Sequence, residues 1–263
     1  MTSRGGTGRA RLAGVLGTVA MSLSACGGGV IVATAGPSAP VASAIPTATA
    51  SASAIPDDEP WIVYQTGTPV GLGVALVRPD GTGNHLLDFG VPGSFKHPDW
   101  SPDGTTIVAV REDDNTVWTI GVDGSDPRQL PISSCAEVCD YPAFSRDGSQ
   151  LAFSVIETKP DVVGPSAGSI RVVDLDGSDE RVLARASRPE VLDNPRWSPD
   201  GRRLVIEIDR FDAEGYEIGC SIAVVDVATG AMERLTDPLL FGSFPDWGPQ
   251  GIVFSEAVRA YQA

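Results

Sequence analysis

The sequence predicts an all-β protein, a β-propeller of about four to five blades, on three observations. One short phrase occurs four times, as His97-Pro-Asp-Trp-Ser-Pro-Asp-Gly104, Tyr141-Pro-Ala-Phe-Ser-Arg-Asp-Gly148, Asn194-Pro-Arg-Trp-Ser-Pro-Asp-Gly201 and Phe244-Pro-Asp-Trp-Gly-Pro-Gln-Gly251. Its aromatic falls at Trp100, Phe144, Trp197 and Trp247, a recurrence of roughly fifty residues that suits one four-stranded blade per copy. No stretch keeps a 3.6-residue apolar period for long, so helix is not the building material.

Along the chain, the first element is a leader. Arg4, Arg9 and Arg11 precede an apolar run from Leu12 to Leu23, the layout of a secretory signal and too short to span a bilayer as a stable helix. The run ends in Leu23-Ser-Ala-Cys26, which resembles the bacterial lipobox. That resemblance implies a signal peptide over 1–25, cleavage before Cys26 and lipidation of its sulfur, palmitate being one such acyl group; an ordinary secreted protein with an incidental Cys26 is the alternative. Residues 26–59 are Ala, Ser, Pro, Thr and Gly with almost no charge before Asp57. Such a segment buries too little apolar surface to offset its ordering entropy and reads as a disordered tether, or as an O-glycosylated stalk of the same composition.

The folded region is expected over 60–263. Ile62 to Gln65, Gly73 to Val77 and His85 to Leu87 read as strands two to four of a blade whose opening phrase is missing. In the next unit His97 to Ser101 is the innermost strand, followed by Thr106 to Val110, Thr116 to Val122 and Arg128 to Leu130. Ser101-Pro-Asp-Gly104 joins the first two as a tight turn, because Pro presets φ and Gly accepts left-handed geometry. The plan repeats at Leu151 to Val155, Ser169 to Leu175 and Arg181 to Leu183, and again at Arg203 to Ile208, Cys220 to Val227 and Met232 to Leu235. After the last phrase comes Ile252 to Ser255, and the C-terminal copy is placed to complete the first blade and remove the open sheet edges. A four-bladed ring, an open arc and a truncated chain all fit this count.

The repeated Pro-x-Trp-Ser-Pro-Asp-Gly phrase with a later Asp-Gly turn resembles the TolB-like propeller repeat. The match is strong at 97–104 and 194–201, good at 141–148 and degraded at 244–251, where Gly248 and Gln250 replace Ser and Asp. The resemblance implies an extracytoplasmic, WD40-like propeller used mainly for binding, although similar propellers occur fused to serine peptidases. The chain departs from that family in having fewer than its usual six blades.

The formal net charge of −15 disfavours nucleic acid and anionic lipid as partners of the propeller, since both need Lys and Arg clusters. Cys135 and Cys139 lie in an insert before Tyr141 and are expected to form a disulfide in an oxidising compartment. No further ligands at metal-site spacing accompany the pair, so no metal or other cofactor is expected there. Cys220 reads as a small buried apolar residue.

Neither His85 nor His97 sits in a hydrolase or zinc motif. Asp103, Asp147 and Asp200 occupy identical turns, where Asp serves local hydrogen bonding rather than catalysis. The acidic outer turns around Asp123, Asp126, Asp174, Asp176, Asp179 and Glu180 lack calcium-loop spacing and read as solvated. One candidate binding site remains: His97, Tyr141, Asn194 and Phe244, each just before the phrase's Pro, vary where their surroundings are constant. At the starts of inner strands, with Lys96, Asp140, Asp193 and Ser243 beside them, they are placed to ring one mouth of the central channel; filling a narrow axis is the plainer alternative. These residues imply a non-enzymatic lipoprotein, anchored to the bacterial cell membrane and monomeric if the ring closes, that binds a protein or peptide of the cell envelope. A propeller hydrolase or lyase on peptides or glycans, and an envelope ligand sensor, are the alternatives.

Overall fold

The computed structural model describes residues 60–238 and 241–256. The expected signal peptide, Cys26, the tether and the last seven residues lie outside the described residues. Everything described is strand, turn or loop apart from one 3-10 turn at Ser133–Ala136.

Seventeen strands form five antiparallel sheets. The first holds β1 (Ile62–Thr68), β2 (Gly71–Val77) and β3 (His85–Leu86). Three four-stranded blades follow. They are β4 (Phe95–Trp100), β5 (Thr106–Arg111), β6 (Thr116–Gly121) and β7 (Arg128–Gln129); β8 (Val138–Phe144), β9 (Gln150–Thr158), β10 (Pro165–Asp174) and β11 (Arg181–Ser187); and β12 (Glu190–Trp197), β13 (Arg203–Phe211), β14 (Glu217–Asp226) and β15 (Met232–Arg234). A hairpin of β16 (Gly242–Gly248) and β17 (Gly251–Glu256) ends the description. The molecule is thus a β-propeller of four blades, the first with three strands, carrying two strands more.

The core lies between blades rather than within them. One cluster joins Val108, Val110 and Val117 of one blade to Leu151, Phe153 and Val155 of the next. A second joins Ile170 and Val172 to Leu192, Leu204 and Ile206, and a third joins Val74 and Leu76 to Ile107 and Ile120. Each fully buried aliphatic side chain contributes roughly 1.5–3 kcal/mol, and alternation along the strands sends these residues to the sheet faces that meet. Inner strands are also tied across blades: Trp197 Nε1 donates to the Ala143 carbonyl at 3.1 Å, and Phe144 N to Asp99 Oδ2 at 3.0 Å.

The phrase makes its turn by the same bonds each time. Gly104, Gly148 and Gly201 donate their N–H groups to the carbonyls of Ser101, Ser145 and Ser198 at 2.9–3.0 Å, with φ near +70°. The Ser hydroxyls donate to Asp103, Asp147 and Asp200 at 2.6–2.7 Å. Those hydrogen bonds hold all three carboxyls below their ordinary value, Asp147 at about 2. Glu180, from the outer-turn acids, pairs with Arg171 at 2.9 Å.

Two expectations need correction. The C-terminal copy does not complete the first blade among the described residues: β16 pairs with β17 and packs on β12, β13 and β14, while β1 pairs with β2. The hairpin therefore occupies the inner position of a further blade. Secondly, the four residues before Pro do not start their strands. The inner strands begin two to four residues earlier, and His97, Tyr141, Asn194 and Phe244 sit at φ of 50, 46, 51 and 53°, inside register shifts at Lys96/Asp99, Asp140/Ala143, Asp193/Arg196 and Ser243/Asp246. Pro has no N–H for the ladder, so the chain bulges there.

Candidate functional site

Three of the four bulges, at His97, Tyr141 and Phe244, place their side chains on a cavity at the propeller axis, and the fourth buries Asn194 behind it. Residues from all five sheets surround one cavity of about 490 Å³, among them Gln65, Lys96, His97, Tyr141, Asp193 and Phe244. The left-handed backbone at each bulge is sparsely populated for residues other than Gly, and such strain persists where surrounding structure enforces it.

One side of the cavity is aromatic and basic. The His97 and Tyr141 rings stack with centroids 3.8 Å apart. Lys96 Nζ lies 3.0 Å from Asp140 Oδ2, and His97 Nδ1 bonds to Asp140 Oδ1. Burial opposes the charge on Asp140, but these two partners outweigh it and hold the carboxyl below its ordinary value. Gln65 Oε1 accepts from the His97 backbone N–H at 3.0 Å, which fixes the bulge against the first blade. Burial, reinforced by the Asp193 and Asp140 charges, pushes the Tyr141 phenol up, so it is a neutral hydrogen-bonding group.

The opposite side is acidic. Asp193 and Glu207 face each other as register partners of β12 and β13, and Asp209 follows Glu207 on the same face of β13. Asp193 Oδ1 accepts from the Ser154 hydroxyl and from the Asn194 N–H. Burial and then the Asp140 charge nevertheless raise its carboxyl to about 7. Glu207 Oε2 accepts from Phe244 N at 3.0 Å and from Asn194 Nδ2 at 3.4 Å; burial raises this carboxyl too. Asp209 is raised well above the carboxylate range, by burial first and then by Glu207 and Asp193. Cys220 Sγ donates to Glu217 Oε1 at 2.7 Å, and its thiol is driven up by burial.

Of the residues singled out in sequence, Lys96, His97, Tyr141, Asp193, Ser243 and Phe244 line the cavity, while Asp140 and Asn194 are buried behind it. A disulfide joins Cys135 to Cys139 in the insert. Cys220 is buried, but among carboxylates rather than in an apolar setting: its sulfur groups with Glu207 and Asp209. Sequence reasoning missed Glu207, Asp209 and Glu217. A signal existed, since two acids two positions apart interrupt the apolar run Leu204-Val-Ile-Glu-Ile-Asp209.

No protein-family model matches the chain. Solved structures similar to it include TolB from Acinetobacter baumannii, at 18% identity over 76% of this chain and 48% of that one with a TM-score of 0.56. A chain of a nidogen/laminin complex matches at 13% identity over 70% of this chain and 64% of that one, TM-score 0.52. An acylaminoacyl peptidase from Pyrococcus horikoshii superposes at a TM-score of 0.44, with 16% identity over 65% of this chain and 29% of that one. The chain spans about half the length of the TolB structures it matches. The chain shares the β-propeller fold of these structures.

Proposed function

We propose that this chain is a binding module, a lipid-anchored propeller outside the cytoplasm whose axial cavity receives a protein or peptide partner of the cell envelope. The observation that carries the reading is the repeated bulge, which in three of its four copies brings a dissimilar side chain, His97, Tyr141 or Phe244, to one cavity. Polar groups convergent on a concave surface are the usual material of a ligand site. The similarity to TolB is consistent with this reading at the level of fold.

The module acts without chemistry of its own in this reading. His97 is tied to Asp140 through Nδ1 and stacked on Tyr141, which makes a fixed aromatic wall. The lipobox-like Leu23-Ser-Ala-Cys26 supplies the anchor, because two or more acyl chains hold a protein on a bilayer where surface charge of this sign does not. Residues 26–59 serve as the tether.

Two experiments test this. Full-length protein with His97, Tyr141 and Phe244 replaced by Ala should lose the envelope partners captured by the unaltered chain; an unchanged capture profile sinks the cavity as the binding site. Cys26→Ala should move the protein from the membrane pellet to the soluble fraction and abolish its labelling by radioactive palmitate. Retention of both in the variant refutes the anchor.

A further inference from the structure

Building on the reading of the cavity as a binding site, we propose that its Asp193–Glu207–Asp209 wall receives one organic cation, the ammonium or guanidinium group of a lysine- or arginine-bearing partner peptide. The two basic side chains that line the cavity, Lys96 and His97, both engage Asp140 on the other side. The wall itself places Asp193 opposite Glu207 across a strand pair, an arrangement that like charges disfavour.

An independent observation points to a missing donor. Asn194 is only 2% exposed, and its Oδ1 has no hydrogen-bond partner. Its own Nδ2 reaches Glu207 Oε2, so the orphaned carbonyl oxygen belongs to the same cluster. A buried acceptor left unpaired costs about 1–3 kcal/mol, so the acidic cluster is short of donors even behind the cavity wall.

The dimensions favour an organic group over a bare metal ion. A cavity of about 490 Å³ holds a whole side chain. Of the three residues grouped closely enough to chelate, Glu207, Asp209 and Cys220, the thiol is occupied as a donor to Glu217. Two carboxylates fall well short of the six to eight oxygens that calcium takes. The stacked His97–Tyr141 pair and Phe244, 55% exposed at the rim, supply aromatic faces that attract alkylated nitrogen cations.

The test uses the full-length protein and two isosteric probes, N-acetyl-arginine amide and N-acetyl-citrulline amide, with calcium chloride as a third arm, each measured by calorimetric titration. The arginine probe should bind about tenfold more tightly than citrulline, the difference expected of a charge-assisted contact. Glu207→Gln with Asp193→Asn, both near-isosteric and checked for folding by circular dichroism, should erase that difference. Equal binding of the two probes overturns the cation claim while leaving the cavity a binding site. Calcium binding without arginine binding overturns it in favour of a metal site. Binding of neither probe, in a protein that still captures its partner through His97, Tyr141 and Phe244, overturns it as well.

Discussion

At the scale of a single residue, Asp193 makes stability depend on pH. Its carboxyl titrates near 7 in the folded chain against an ordinary 3.8, so between those values the native state holds a proton that the unfolded state has lost. Stability from this group is therefore complete below about pH 4 and lost as pH rises through 7. Glu207 and Asp209, raised likewise, add to the same slope. Asp147, held at about 2, has the opposite sign and loses its contribution only in strong acid. Thermal unfolding followed from pH 4.5 to 8.5 should show declining stability toward neutrality. Asp193→Asn should flatten that decline and raise the midpoint at pH 8 by a few degrees, since both hydrogen bonds are accepted by Oδ1 and an amide oxygen can keep them. A decline as steep in the variant as in the parent contradicts the assignment. None of this was readable in sequence: Asp193 was recognised as a neighbour of the phrase, but its ionisation depends on Glu207 and Asp140 from other strands.

Among elements, the inner strands and their turns were legible and the bulges were not. The turn follows from Ser, Pro, Asp and Gly acting within a few residues, chemistry that sequence displays directly. The bulge runs against local preference, because a residue before Pro favours extended backbone, and only the surrounding blades impose the left-handed conformation. One outer strand was misjudged for a related reason: β11 runs over seven residues where three were expected, its length set by pairing with β10. The phrase aromatic is also unequal from copy to copy. Trp197, 5% exposed and bonded to a carbonyl of the preceding blade, should cost roughly 3–5 kcal/mol when replaced by Ala. Trp100 is only partly buried, so its replacement should cost distinctly less. Urea midpoints measure both, and equal losses would contradict this packing.

At the scale of the molecule, a period in the sequence became an axis in space. Four copies of one phrase are each bulged at the third to fifth residue of the strand, and three of them aim different side chains at a common cavity, while the constant Pro, aromatic and Gly build the blades. The blade count was bounded by the repeats, but joining of the two end sheets rested on tertiary pairing that no local signal encodes. The described chain leaves β17 with exposed Val253 and Phe254, an edge of the kind proteins normally cover. Full-length protein in detergent should accordingly self-associate less when Val253 is replaced by Lys; sedimentation velocity would show this, and an unchanged distribution would mean that the edge is already covered.

The most direct test is photocrosslinking in living cells with a benzophenone amino acid at position 244 on the cavity rim, and at exposed Met232 on an outer strand as the comparison. A discrete adduct from position 244 that is absent from position 232 is the predicted result. The same adducts from both positions, or an adduct from position 232 alone, would contradict a binding site at the propeller axis.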